Sequence, residues 1–135
     1  MKLSFSIVFA LFLAQYSFSQ PLDPVKWSFD TEVVNENEIN LIFMAAIDDG
    51  WHMYGLNMPD GGPYPVSFNY NDTVGFEVSD GPVAVIKPVE KFDQILGMKL
   101  ETLDEKGLFK QRIKLLNRKE FNISGFVEYM ACNDK

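Results

Sequence analysis

The chain's one cysteine, Cys132, and its one histidine, His52, are the side chains best suited to chemistry among its 135 residues. A thiolate can attack a disulfide, and an imidazole can move a proton or bind a metal. A catalytic histidine needs a nucleophile and an orienting partner, and a metal needs two or three more ligands. Because eighty residues separate His52 from Cys132, we interpret His52 as a structural residue beside a Pro/Gly turn. In that interpretation Trp51 and Tyr54 lie in the core and His52 on the other face, and a base or metal ligand is the alternative.

The single cysteine excludes a disulfide framework within the chain and a zinc site built from cysteines. Cys132 follows the last apolar run and precedes Asn133 and Asp134, which favour turns. We therefore expect the thiol at the end of a strand, where a partner can reach it, and a buried structural thiol is the alternative. In an oxidising compartment, a spare thiol implies an intermolecular pairing, a reactive group or a missing partner.

A second segment of interest is residues 91–97 (KFDQILG), which lies between two predicted strands. It contains an acid, Asp93, two aliphatic residues, Ile95 and Leu96, and a glycine. One interpretation is an ordinary loop that buries Ile95 or Leu96. The other is a lid that covers a reactive group with an apolar side chain while Asp93 tunes its protonation.

Strands must position these residues, because apolar and polar side chains alternate along the chain with a period of two. Residues 41–47 and 109–115 carry the clearest alternation, and residues 121–129 predict one later strand. Further strands are predicted at residues 25–34, 51–56, 65–70, 76–79, 83–88 and 98–103. Turn-forming Gly, Pro, Asn and Asp residues separate them. The pattern predicts an all-β fold, an immunoglobulin-like antiparallel β-sandwich, in one domain.

Composition and charge exclude several classes of protein. With 47% hydrophobic and 14% aromatic residues, the chain can build a core, which argues against disorder throughout. Its formal net charge is −7, and it has no basic stripe, so nucleic acid is a poor partner.

The first nineteen residues predict a secretory signal peptide. Lys2 provides the positive start, the apolar run follows, and Ser17 and Ser19 are the small residues before a cleavage site. The apolar run is shorter than the roughly 20 residues that cross a bilayer comfortably. We therefore expect residues 1–19 to be removed and residues 20–135 to form an exported sandwich domain.

Five segments resemble the N-terminal periplasmic domain of the DsbD thiol:disulfide interchange (protein-disulfide reductase) family. They are residues 23–27 (DPVKW), 50–54 (GWHMY), 61–65 (GGPYP), 109–111 (FKQ) and 125–134 (GFVEYMACND). The resemblance implies an immunoglobulin-like sandwich with a redox cysteine pair near one end. In that family a membrane domain passes electrons to a thioredoxin-like domain, which reduces the sandwich. The sandwich then reduces oxidised periplasmic thiol proteins, without a metal or organic cofactor.

The resemblance assigns roles to particular residues. Cys132 matches the first cysteine of the family's pair, and residues 92–97 resemble the cap loop that shields it. Asp93 and Gly97 match the family's cap, whereas Gln94 replaces an acid. Ile95 and Leu96 replace aromatic residues and follow Phe92. The resemblance thus implies that Cys132 and Asp93 are catalytic and that the loop shields the thiol by aliphatic packing.

The family's second cysteine, a few residues after the first, does not occur before Lys135. We therefore expect the sequence to be a fragment that ends just before that cysteine, and the source gene would show this by continuing. The resemblance implies part of a protein-disulfide reductase in the periplasm, either free or tethered through a downstream membrane domain. Its expected partners are thioredoxin-like and other exported thiol proteins and a membrane electron-transfer domain. The alternatives are a non-catalytic binding module with a passive cysteine and an assembly module that Cys132 crosslinks permanently.

Overall fold

The computed structural model describes residues 22–133, and every regular element in that range is a strand. The predicted signal peptide, Asp134 and Lys135 lie outside the described residues. Within them no helix is long and apolar enough to cross a membrane. The eleven strands are β1 (Val25–Asn35), β2 (Glu38–Ile47), β3 (Trp51–Tyr54), β4 (Ser67–Tyr70), β5 (Phe76–Val78), β6 (Val83–Ala84), β7 (Val89–Asp93), β8 (Met98–Asp104), β9 (Lys106–Leu115), β10 (Gly125–Glu128) and β11 (Ala131–Asn133).

All pairings between these strands are antiparallel, and they form three sheets. The largest sheet has the order β1-β2-β9-β5, and β6 also pairs with β9. A four-stranded sheet has the order β11-β3-β8-β7, and β4 pairs with β10 as a two-stranded sheet. Alternation within the strands explains these layers: along β9, Phe109, Gln111 and Ile113 are buried, while Arg112 and Lys114 are exposed. The predicted all-β, immunoglobulin-like antiparallel sandwich is confirmed.

The core lies where the large sheet packs against the two smaller ones. Phe43 and Phe109 enter it from the large sheet, Met53 and Leu103 from the four-stranded sheet, and Phe68 from β4. Phe68 stacks on Phe43 with the ring centroids 4.0 Å apart and tilts against Phe109 at 5.4 Å. Aromatic contacts of this kind add to the hydrophobic stabilisation that burial provides, so the two layers are held together near their centre.

Besides the strand expected at residues 83–88, of which only Val83 and Ala84 form a strand, two predicted strand boundaries are wrong. Residues 121–129 do not form one strand, because the chain enters the ladder only at Gly125 and leaves it after Glu128. Phe121 instead stacks on Phe76 at 6.0 Å outside any ladder, so its apolar side chain reflects packing and not strand pairing. The second error concerns residues 91–93, which were expected in a loop and belong to β7, so that the turn is confined to residues 94–97.

The chain passes from the four-stranded to the five-stranded sheet through a single residue, Glu105. It lies between β8 and β9 with φ of 62°, the one positive φ at a described residue other than glycine. Its carbonyl accepts a hydrogen bond from the amide of Ile47 at 2.8 Å. Left-handed backbone costs a side-chain-bearing residue of the order of 1 kcal/mol. The pairing of β8 and β9 in two different sheets imposes this conformation on Glu105.

Candidate functional site

Cys132 lies on β11, a strand of three residues at the edge of the four-stranded sheet. The thiol is free and exposed, so the alternative of a buried structural cysteine does not describe it. The chain reaches β11 through Met130, whose carbonyl accepts a hydrogen bond from the amide of Tyr54 at 3.1 Å. Among residues 22–133, β11 pairs with β3 alone, so its other edge has no strand partner in that range.

The strand register brings His52 and Asp104 into line with the thiol. Cys132 pairs with His52 on β3, and His52 pairs with Asp104 on β8. Residues directly opposite in an antiparallel ladder project from the same face, with Cβ atoms about 5 Å apart. Cys132, His52 and Asp104 therefore form one row across three strands, called the cross-strand row below. His52 and Cys132 are eighty residues apart in the sequence, which argued against a role for His52. The pairing of β11 with β3 makes them neighbours in the sheet.

The faces of β3 differ from the sequence-based interpretation. Met53 is fully buried in the core, and Trp51, two residues away, packs against the same core. Tyr54 is buried in the core as expected, although period-two alternation puts it on the face of His52 and not on that of Trp51. The two rings meet edge to face with centroids 5.4 Å apart. The Tyr54 side chain is 6% exposed, and His52 beside its ring is half-buried.

Asp104 also forms an ion pair with Lys91 of β7. The distance from Lys91 Nζ to Asp104 Oδ2 is 3.1 Å, and both side chains are about half exposed, at 51% and 46%. Exposed pairs of this kind contribute little to stability because water screens them. The pair does set the charge around the cross-strand row, since it places an ammonium group near the carboxylate that lies opposite His52.

The carboxylate of Asp93 organises the turn after β7. Its Oδ1 accepts hydrogen bonds from the amides of Ile95 and Leu96 at 2.8 and 2.9 Å. Gly97 closes the turn with φ of 67°, a conformation that glycine adopts without strain, and its amide donates to the Asp93 carbonyl. The pattern of an acid, two aliphatic residues and a glycine is thus explained locally by turn geometry.

The apolar residues of that segment point to solvent. Ile95 is 95% exposed, Phe92 is 62% exposed and Leu96 is 43% exposed. The loop therefore does not bury Ile95 or Leu96, as one interpretation expected. Gln94 lies in the same turn, at its first position.

The register places the turn far from the thiol within the sheet. Asp93 pairs with Met98 at one end of β8, and Asp104 of the cross-strand row is at the other end. Six residues at about 3.3 Å each separate these ends by about 20 Å along the strand. The turn also belongs to β7, at the edge opposite β11. The sheet thus joins Cys132 with His52 and Asp104 and not with Asp93, and the cap-loop assignment stays a prediction.

Two residues that the sequence did not single out individually are Met130, which directly precedes β11, and Tyr64, which contacts Met130. The amide of Tyr64 lies 3.1 Å from the Met130 sulfur, and the Tyr64 side chain is 79% exposed. Together with Pro65, Ser67 and the end of β10 they line a shallow groove of about 540 Å³. The glycine- and proline-rich residues 61–65 were the available signal, because such a run ahead of a strand often forms an exposed platform.

Within residues 22–133, no group of three or more His, Cys, Asp or Glu side chains could hold a metal ion. No protein-family model, curated protein or solved structure matches the chain. The function is therefore inferred from the arrangement of the site and from the resemblance of five sequence segments to the DsbD N-terminal domain.

Proposed function

We propose that this domain exchanges disulfides with other exported proteins through Cys132. The observation that carries the proposal is an exposed free thiol on an edge strand, in line with an imidazole and a carboxylate. The resemblance to the DsbD N-terminal domain supports the same chemistry. In this proposal the domain takes electrons from a thioredoxin-like or membrane reductase and passes them to oxidised thiol proteins in the periplasm.

The exchange is a two-electron transfer carried by sulfur. The Cys132 thiolate attacks one sulfur of the partner's disulfide, forms a mixed disulfide and releases the other sulfur as a thiolate. A second thiol then attacks the Cys132 sulfur, which releases the fully reduced partner and leaves Cys132 oxidised. In the family that the chain resembles a second cysteine supplies this thiol, and an external thiol can do the same for this chain. The electrons pass through thiols alone, so the proposal requires no metal or organic cofactor.

The surroundings of β11 support access by a protein partner. An edge strand offers unpaired backbone groups that an extended segment can bind, and Tyr64 and Met130 add an exposed aromatic and a soft apolar contact beside it. Tyrosine and methionine are both common in protein interfaces. A partner that pairs with β11 would bring its disulfide to the side of Cys132.

Trapping of a mixed disulfide tests the proposal. The reduced chain is mixed with a thioredoxin-fold protein whose resolving cysteine is serine and whose attacking cysteine is activated as an aromatic disulfide. We expect a disulfide-linked heterodimer that dithiothreitol dissociates by reduction, and Cys132→Ser should abolish its formation. At about pH 9, iodoacetamide should alkylate Cys132 in the native chain within about threefold of its rate in urea, because the thiol is exposed.

Two results would overturn the proposal. A native alkylation rate hundreds of times below the unfolded rate, with no heterodimer, would support a passive cysteine in a binding module. A reductant-sensitive homodimer that forms in place of the heterodimer would support a permanent crosslink.

The cap-loop prediction has its own test. If residues 92–97 shield the thiol, Ile95→Ser and Leu96→Ser should raise the alkylation rate of Cys132. Unchanged rates would limit Phe92, Ile95 and Leu96 to other roles and would leave the exchange chemistry intact, since the turn lies at the far corner of the sheet.

A further inference from the structure

We infer that His52 accepts the proton of the Cys132 thiol and that Asp104 stabilises the imidazolium that results. The inference rests on the proposed exchange function and adds the residues that prepare the thiol for it. Its basis is the cross-strand row, in which the three side chains project from one face of adjacent strands. A nucleophile, a base and an orienting group in this order activate thiols and hydroxyls in unrelated folds.

No proton is gained or lost in this step. The thiol gives its proton to the neutral imidazole, which produces a thiolate and an imidazolium side by side. The thiolate attacks the partner's disulfide, and the sulfur that leaves takes the proton back from the imidazolium. His52 returns to its neutral form, and the partner's disulfide is the oxidant throughout.

The charged and titratable groups around His52 come from three further strands and two turns. On its own face, the Tyr54 ring meets the imidazole edge to face, and Asp104 shares its carboxylate with Lys91. The turns that adjoin this end of the sheet contain Asp48, Asp49 and Glu105. Acidic groups therefore outnumber the one nearby ammonium.

Lys91 and His52 compete for the same carboxylate. Because Lys91 holds Asp104 at 3.1 Å, removal of its ammonium should leave the carboxylate free to stabilise the imidazolium. Substitutions at Lys91 and Asp104 should thus change the reactivity of the thiol in opposite directions, which a purely structural role for the row does not predict.

The test is the alkylation rate of Cys132 as a function of pH. The full chain is treated with iodoacetamide, and with an aromatic disulfide in a parallel series, at values from about pH 5.5 to 9.5, which span the ordinary imidazole and thiol ionisations. We expect His52→Gln to lower the rate about fivefold near pH 6 and by less than about twofold above pH 9, where the thiol ionises without help. Asp104→Asn should lower the low-pH rate by about half as much on a logarithmic scale, and Lys91→Met should raise it.

The matched control is Glu90→Gln, which removes the same charge as Asp104→Asn. Glu90 is exposed on β7 and pairs with Glu101, on the face opposite the row. In the Glu90→Gln variant, the rate of Cys132 alkylation at low pH should equal that of the unaltered chain. If His52→Gln fails to fold, which circular dichroism would reveal, the opposite effects of Asp104→Asn and Lys91→Met still decide the matter.

The outcomes separate this inference from the function on which it rests. A rate that falls by one factor at every pH, or that does not change in any variant, overturns the role of His52. If Cys132 still forms the mixed disulfide in that case, the exchange function stands. If Cys132 does not react with disulfides at any pH, the exchange function fails first.

Discussion

Replacement of Gly125 by alanine should separate β10 from β4, the two-stranded sheet through which the chain reaches Cys132. A Cβ atom at this position would overlap the carbonyl oxygen of Asn69 and lie 3.1 Å from the Asn69 carbonyl carbon and 3.2 Å from the Tyr70 Cα. All three are backbone atoms, so no side-chain rotation relieves the overlap. The two strands must move apart by about an ångström, which exceeds what a hydrogen bond of normal length tolerates.

The size of the effect follows from the bonds at that end of the ladder. β10 and β4 share four residue pairs, and the amide of Asn71 donates to the Ser124 carbonyl at 3.0 Å beside Gly125. Loss of about three backbone hydrogen bonds, at about 1 kcal/mol each, lowers the free energy of unfolding by about 3 kcal/mol. For a domain of this size, that corresponds to a decrease in Tm of about 12 °C.

Urea and thermal unfolding, followed by the fluorescence of Trp27 and Trp51, measure the effect. Gly81→Ala is the matched control, because a Cβ there meets no atom within 4 Å and Gly81 is not among the glycines with positive φ. That variant should be unchanged or stabilised by up to about 1 kcal/mol, through the unfolded chain. A Gly125→Ala chain that unfolds at the same urea concentration as Gly81→Ala would refute the reasoning about this close approach.

Three further predictions concern the core and two ionisable groups. Phe109→Ala should lower the free energy of unfolding by about 3–5 kcal/mol in urea, because the ring is fully buried between the sheets; a loss below about 1 kcal/mol would contradict this placement. Burial raises the pKa of Tyr70 to about 12, so its contribution to stability is complete below about pH 10, the unfolded value, and disappears as the pH rises towards 12. Tyr70→Phe should remove that alkaline decline in urea midpoints and, through loss of the 2.7 Å bond to Gln111, cost about 1 kcal/mol at neutral pH. A hydrogen bond from Lys110, and after it one from Asn40, lowers the pKa of Glu32, so Lys110→Met should move the carboxyl titration, followed by NMR, towards its ordinary range. Any stability from the Lys110–Glu32 pair is present above that range and is lost as the pH falls, and an unchanged titration would count against the pair.

The sequence predicted the layers well, because alternation is a local signal. Along β9, each apolar residue between cations marks a buried position, and the same period gives β2 and most of β8. Predictions failed where an apolar residue packs without joining a ladder. Phe121 is the example: it rests on Phe76 while its backbone lies outside any strand, and hydrophobicity alone does not distinguish the two cases.

The candidate site could be predicted only in part, for a different reason. The accessible thiol followed from the turn-forming residues after Cys132, which are neighbours in the sequence. Its proximity to His52 depends on the antiparallel pairing of β11 with β3, and a register between distant segments leaves no trace in composition or spacing. Asp93 shows the reverse case, since the acid that suggested a proton-tuning role is engaged by two amides of its own turn.

The single-residue corner at Glu105 gives the cross-strand row one stiff end and one compliant end. Asp104 is covalently next to Glu105, whose carbonyl accepts a hydrogen bond from the amide of Ile47, and the ten-residue strand β9 begins directly after Glu105. Cys132, by contrast, is held by three residue pairs at a free edge. Mechanical load applied by a docking partner would therefore displace the sulfur before it displaced the carboxylate. His52 lies on β3, which pairs with the strand of Asp104. The thiol could therefore move towards a partner while the imidazole that accepts its proton stays in place.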